Sequence, residues 1–271
     1  MDNDYSPTLS KKEFSKSISA LGIKKANDAP WQIFVLALLA GLYISFGGHV
    51  FLVALSQGLN KLVAGAAFSV GLVLVVIAGA ELFTGNIIMT VGAVISRFTF
   101  LKMTRNWGVV YVGNFVASIL YAYLIFKSGL LGDVVNPSAL GQIAIKVTDA
   151  KLGLTFTECF IRGIFCNILV ILAIIMAIMS KDIISKIFCC ILPIMVFVAC
   201  GFEHCVANMF LIPVGLLAKG NLISSFHIIF HNIIPVTLGN IVGGLFILFI
   251  HPNRIRQLVH LISCKYHNTE V

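Results

Sequence analysis

The sequence predicts an all-α membrane protein, with six transmembrane helices arranged as an inverted 3+3 repeat and with the second and fifth helices broken. Three observations predict it. The 271 residues are 59% hydrophobic and 11% charged, whereas a soluble domain carries about 25% charged residues; mean hydropathy is +1.00. Two apolar stretches are too long for one crossing. Inside them lie twin segments, Gly79-Ala80-Glu81-Leu82-Phe83-Thr84-Gly85-Asn86 and Gly201-Phe202-Glu203-His204-Cys205-Val206-Ala207-Asn208, which share the frame Gly-x-Glu-x4-Asn at an offset of 122.

Residues 1–29 form a polar N-terminal segment with no apolar core, so no cleavable signal peptide is expected. Ser10 and Glu13 have capping-box spacing, and Phe14, Ile18 and Leu21 then recur on one helical face. With Lys11, Lys12, Lys16, Lys24 and Lys25 around them, the pattern fits an amphipathic helix on an anionic membrane surface; a solvated tail fits equally well. Asp28 and Pro30 read as the cap and first turn of a long helix.

A hydrocarbon core of ~30 Å takes about 20 apolar residues per helix. Six spans satisfy this within a pore domain of residues 30–252: about 31–55, 62–95, 107–126, 154–179, 184–218 and 229–250. The second and fifth each hold one twin segment and read as half-helix, irregular loop, half-helix. Residues 253–271 are expected to form a cytoplasmic C-terminal tail.

Six spans put both ends on one side. That side collects the five N-terminal lysines, Arg97, Lys102, Arg105, Lys181, Lys186, Arg254, Arg256 and Lys265. The other side holds Lys61, Lys127, Lys146, Lys151 and Lys219. The excess of positive charge places both termini in the cytoplasm, the chain being a multi-pass protein of the cell (plasma) membrane. It also accounts for the net charge of +8 without a nucleic-acid partner.

The repeat recurs elsewhere. Gly41-Leu42-Tyr43-Ile44 maps onto Gly163-Ile164-Phe165-Cys166 at 122, and Gly113-Asn114-Phe115-Val116 onto Gly239-Asn240-Ile241-Val242 at 126. Three spans per copy is an odd number, so the second copy enters the membrane upside down. In such folds the site lies between the discontinuous helices at the repeat interface; irregular backbone at that depth is tolerated where it lines a cavity or is buried in protein.

His204 donates a hydrogen bond when neutral and carries charge when protonated. Thr84 adds a hydroxyl, and half-helices starting near Asn86 and Asn208 bring partial positive charge. A few donors in an apolar passage favour a small anion; the plain alternative is a core histidine satisfied by its own loop. Glu81, Glu203 and Arg162 are expected to clamp the loops, the carboxylates by accepting backbone N–H groups of their own broken helix and the arginine by bridging carboxylate and carbonyls. Two carboxylates in a cation path are the rival. Six of the seven cysteines fall in apolar spans without C-x-x-C spacing, so buried thiols are expected and no metal or other cofactor.

Four motifs taken together, Glu81-Leu82-Phe83-Thr84-Gly85-Asn86, Arg162-Gly163-Ile164-Phe165-Cys166-Asn167, the His204 segment through Met209, and Gly239-Asn240-Ile241-Val242-Gly243-Gly244, resemble the formate/nitrite transporter family over about residues 20–255. The wording of the motifs is similar to its hydrosulfide-channel branch. The resemblance implies an aquaporin-like protomer in a homopentamer embedded in the lipid bilayer. Each protomer would carry one pore for a small monovalent anion such as formate, nitrite or hydrosulfide. It implies His204 as the central pore histidine with Thr84 as partner, and Asn167 and Asn208 as polar pore-side residues. It further implies Leu72, Leu82 and Phe197 at a cytoplasmic-side constriction, Phe68 and Val170 toward the outer one, and Lys151 at the outer vestibule.

Two other functions compete: a channel for water or small neutral solutes, and an intramembrane metalloenzyme built on Glu203, His204 and cysteines. Against the enzyme, the chain has no H-E-x-x-H, and His227 and His231 lie beyond the fifth span.

Overall fold

The structure is a computed structural model that describes residues 6–250 apart from the side chains of residues 11 and 222–229; the C-terminal tail expected over 253–271 lies outside the described residues. Helix α1 (Lys11–Asn27) starts on the expected capping box: the Ser10 hydroxyl accepts the Glu13 N–H at 3.3 Å, and the Glu13 carboxylate accepts the Ser10 N–H at 2.8 Å. Ahead of it, Leu9 N–H donates to Met179 O at 2.8 Å and Lys181 N–H to Pro7 O at 3.2 Å, so the segment is tied to a distant loop. Ile18 and Ala26 are buried against protein, which makes α1 a packed element and not a solvated tail.

The Ser10 hydrogen bonds also hold the Glu13 carboxyl below the usual carboxylate range. A lowered folded-state value means that this capping is in place at neutral pH and is lost as pH falls through the Glu13 value. Ser10→Ala should therefore raise amide exchange in the first turn of α1 about fivefold at pH 7, with a smaller ratio in acid; equal ratios at both pH values would refute the coupling.

Asp28 closes α1, its N–H bonding Lys24 O at 3.0 Å, and Ala29 rather than Asp28 caps α2 (Pro30–Ser56), with Pro30 at the first position. The second span then comes in pieces. Helices α3 (Lys61–Phe68) and α4 (Val70–Ala78) end at Gly79, whose φ of +80° only glycine adopts freely. Extended residues lead to α5 (Phe83–Asn86) and α6 (Met89–Val94). Helix α7 (Phe100–Lys127) crosses next.

An element absent from the six-span reading follows. Helix α8 (Ala139–Leu152) is capped by the Ser138 hydroxyl, which accepts the Gly141 N–H at 3.1 Å. At 14 residues, with Lys146, Asp149 and Lys151, it is too short and polar to cross, yet Gly141, Ala144 and Thr148 bury one face. Helix α9 (Phe156–Met179) is the fourth crossing. The fifth is broken as expected: α10 (Ile183–Ala199), a loop at Gly201 (φ +73°), then α11 (Cys205–Ala218). Helix α12 (Leu222–Ile250) closes the bundle. Among the described residues five segments are long and apolar enough to cross a membrane, and α10 and α11 together supply a sixth.

The hydrogen bonds of the two copies correspond in a register that corrects the sequence match for the first span. Glu81 N–H donates to Leu36 O at 3.1 Å and Glu203 N–H to Arg162 O at 3.3 Å. Leu36 thus pairs with Arg162 at 126, and Gly163 answers Ala37 instead of Gly41. Helix α1 corresponds to α8 at the same offset, so each copy is a peripheral helix plus three crossings. Small residues bring partner crossings close: a Cβ on Gly239 of α12 would lie 2.1 Å from Phe160 O of α9.

Candidate functional site

Each break leaves backbone donors inside protein, and an asparagine from the neighbouring crossing takes them up. Asn114 Oδ1 accepts the Phe83 N–H at 3.0 Å, while its Nδ2 donates to Ala37 O and Glu81 O. Asn240 repeats this on the second copy, accepting the Cys205 N–H at 2.9 Å and donating to Gly163 O and Glu203 O. The half-helices therefore begin at Phe83 and Cys205, not near Asn86 and Asn208, and their first N–H groups are already satisfied.

The two glutamate carboxylates accept from side chains, not from the backbone N–H groups of their own broken helices. Glu81 takes Lys25 Nζ of α1 at 2.5 Å and Asn86 Nδ2 at 2.5 Å. Asn86 also donates to Asn106 Oδ1 at 2.8 Å, and Asn106 Nδ2 reaches back to Lys25 O. The second copy reads Lys151, Glu203, Asn208 and Asn232: Lys151 Nζ lies 2.9 Å from both Glu203 oxygens, Asn208 Nδ2 2.6 Å from Glu203 and 2.6 Å from Asn232, and Asn232 Nδ2 3.0 Å from Lys151 O. Every pair sits at 122 or 126. One difference remains: Asn86 Oδ1 accepts from Lys25 at 2.9 Å, whereas Asn208 Oδ1 is buried without a partner.

This arrangement changes the place of two predicted residues. Lys151 lines the α8-side cavity, but its ammonium is committed to Glu203. Arg162 is not the clamp: its carbonyl accepts from Glu203, but its guanidinium has no hydrogen bond or ion pair among the described residues.

Between the clamps, Thr84 Oγ1 and His204 Nε2 stand 2.9 Å apart, both buried. His204 caps α11, its Nδ1 accepting the Ala207 N–H at 3.1 Å. A nitrogen that accepts carries no proton, so the imidazole is neutral with its hydrogen on Nε2, donated to Thr84. The Thr84 hydroxyl hydrogen is then free to point elsewhere. Asn167 donates to Asn240 O at 2.7 Å and, more weakly, to Thr84 O at 3.4 Å; its Oδ1 is buried without a partner. Among the described residues no group of three His, Cys, Asp or Glu side chains could hold a metal ion.

The profile of the formate/nitrite transporter family matches residues 12–252. The chain belongs to the formate/nitrite transporter family. Relatives include a probable formate transporter of Methanothermobacter thermautotrophicus, 43% identical over 85% of this chain and 90% of that one. The formate channel FocA of Haemophilus influenzae is 39% identical over 81% of this chain and 85% of its own length. Among solved structures, an FNT family ion channel superposes with a TM-score of 0.77 at 31% identity, covering 89% of this chain and 96% of that one. A pentameric formate channel with formate bound superposes at 0.71 and 33%, covering 88% and 99%. The protein is thus a multi-pass membrane transport protein, and family membership sets the enzyme reading aside.

In this formate/nitrite transporter homologue, one cavity reaches His204 and a second reaches Leu82 and Gly85, the neighbours of Thr84 on the first loop. On the α1 face, about 390 Å³ is lined by Lys24, Lys25, Glu81, Leu82 and Lys186. On the α8 face, about 450 Å³ is lined by Lys61, Lys146, Lys151, Phe68, Phe197 and His204. Phe197 therefore stands with Phe68, ring centroids 5.8 Å apart, on the α8 side, correcting its expected place beside Leu72 and Leu82. Leu82 does border the α1-side cavity; Leu72 and Val170 are buried in the core and line neither. Sequence reasoning missed Lys25, Asn106 and Asn232, although Lys25 to Lys151 and Asn106 to Asn232 keep the repeat offset of 126.

Proposed function

We propose that the protein is a channel for small monovalent anions, formate foremost, with one path through each protomer of a homopentamer and both termini in the cytoplasm. The observation that carries this is a single buried polar pair, Thr84–His204, standing where two basic cavities approach it through an apolar wall. Phe68, Phe197 and Leu82 exclude a hydrated ion, and a donor between them offsets part of the anion's desolvation. The donor is the Thr84 hydroxyl, oriented by the neutral imidazole that bonds its oxygen. The relatives named as formate channels and the pentameric structure with formate bound support the substrate and the assembly. The excess of basic residues on the face of the termini supports the orientation.

The test is a flux series in proteoliposomes with formate, nitrite and hydrosulfide. Formate should equilibrate at least about tenfold faster than in empty vesicles, and the order of the three anions assigns the branch. Sorbitol-driven swelling without flux of any of the three would instead establish the channel for water or neutral solutes.

A further inference from the structure

The Arg162 guanidinium makes no hydrogen bond or ion pair among the described residues; Glu158, one turn earlier on α9, acts on it only at longer range and spends its carboxylate on the Thr155 cap. It sits in the second turn of α9, half-buried, on the wall of the α8-side cavity. The carboxylate beside it, Glu203, is taken by Lys151 and Asn208. A charge within a membrane-spanning helix persists where it is paired or faces a water-filled cavity on an ion's route. Two more cations line the same space from other elements: Lys61 at the start of α3 and Lys146 on α8. Both are exposed, and neither has a side-chain partner among the described residues. With Lys151 and Glu203 neutralising each other, three positive charges line about 450 Å³ and no other carboxylate lines it with them.

One cation is enough to draw a monovalent anion to a mouth. Three around one space favour a ligand of higher charge, because attraction grows with the product of the charges. The penalty for leaving water grows faster still with charge, so the wall of Phe68, Phe197 and His204 that admits a monoanion stops a dianion. We propose that this cavity binds a small tetrahedral dianion of the sulfate or hydrogenphosphate class, which occupies the approach to Thr84–His204 and blocks the path. The block rests on the anion path proposed above; the binding does not.

Calorimetric titration of sodium sulfate into the purified full-length protein, at ionic strength held with sodium chloride, should show saturable binding. Lys61→Gln and Lys146→Gln should each weaken it about twofold and Arg162→Gln about fivefold. Arg162→Lys keeps the charge and should stay within about twofold of wild type. In vesicles of phosphatidylcholine alone, which offer no anionic headgroup, sulfate on the α8 side should lower formate flux. The half-blocking concentration should rise by the same factors in the variants, each measured against its own sulfate-free flux. A sulfate signal no larger than that of chloride at matched ionic strength, or equal binding in all the proteins, overturns the site. Binding without block overturns the second half of the proposal. Absence of formate flux in the wild type tells against the channel reading, while the calorimetry still decides the site.

Discussion

Thr84→Val should lower formate flux in proteoliposomes by about 10- to 100-fold while the assembly elutes unchanged. The change keeps the shape of the side chain and removes one hydroxyl. In a water-poor passage a hydrogen bond to a charged group contributes about 1.5–3 kcal/mol, which sets that range. His204→Ala should be as severe in a different way. It removes the ring that orients the hydroxyl and the bulk stacked against Phe197, so selectivity for formate over chloride should collapse. The two residues act through one hydrogen bond, so the double variant should carry formate no more slowly than Thr84→Val alone; full additivity would mean that they contribute separately. Wild-type flux and selectivity in either variant would sink the proposed path. The resting geometry also bears on proton movement. Charging the imidazole would place a proton on Nδ1 against the Ala207 N–H, so the ring must first give up its cap on α11. Formate flux accompanied by protons would therefore require the start of α11 to loosen, which amide exchange at Ala207 under acid conditions would report.

The sequence carried the plan of the bundle because membrane spans are written in long apolar runs and because the repeat preserved its glycines and asparagines. Gly79 and Gly201 both have positive φ, and both twin segments break where the frame said they would. Helix α8 escaped because a 14-residue helix with three charges resembles a loop when the ruler is 20 apolar residues; Gly141, Ala144 and Thr148 at helical spacing were the available signal. The register of the first span was misread because the stretch from α2 to the break is four residues longer in the first copy: Leu36 to Glu81 against Arg162 to Glu203. Short glycine matches cannot detect such a shift, whereas the backbone bonds to the two glutamates do. Phe197 could not be assigned to one cavity from the sequence, because its side depends on how α10 packs against α3.

The two lysines decide between a structural and a steering role, and they set up the second large effect. Lys151 shows little surface, with its side chain 14% exposed and that of Glu203 5%. Breaking a buried pair by removing one partner costs about 3–5 kcal/mol, because the remaining charge keeps its desolvation penalty without its counter-charge. Lys151→Met should therefore lower the thermal stability of the purified protein sharply, and Lys25→Met should act alike on the first copy, where Lys25 also holds Asn86. Adding Glu203→Gln to Lys151→Met should recover a substantial part of the loss, since no uncompensated charge is left. Salt separates the roles in transport. A lysine that merely gathers anions acts through a field screened over about 8–10 Å at physiological salt, so its loss would matter most at low ionic strength. A lysine bonded to both oxygens of Glu203 holds the loop that presents His204, and no salt replaces it. The flux defect of Lys151→Met should then be the same at low and high ionic strength, in proportion to wild type. A defect that vanishes in high salt would return Lys151 to a steering role and leave Asn208 and Asn240 to hold the loop alone.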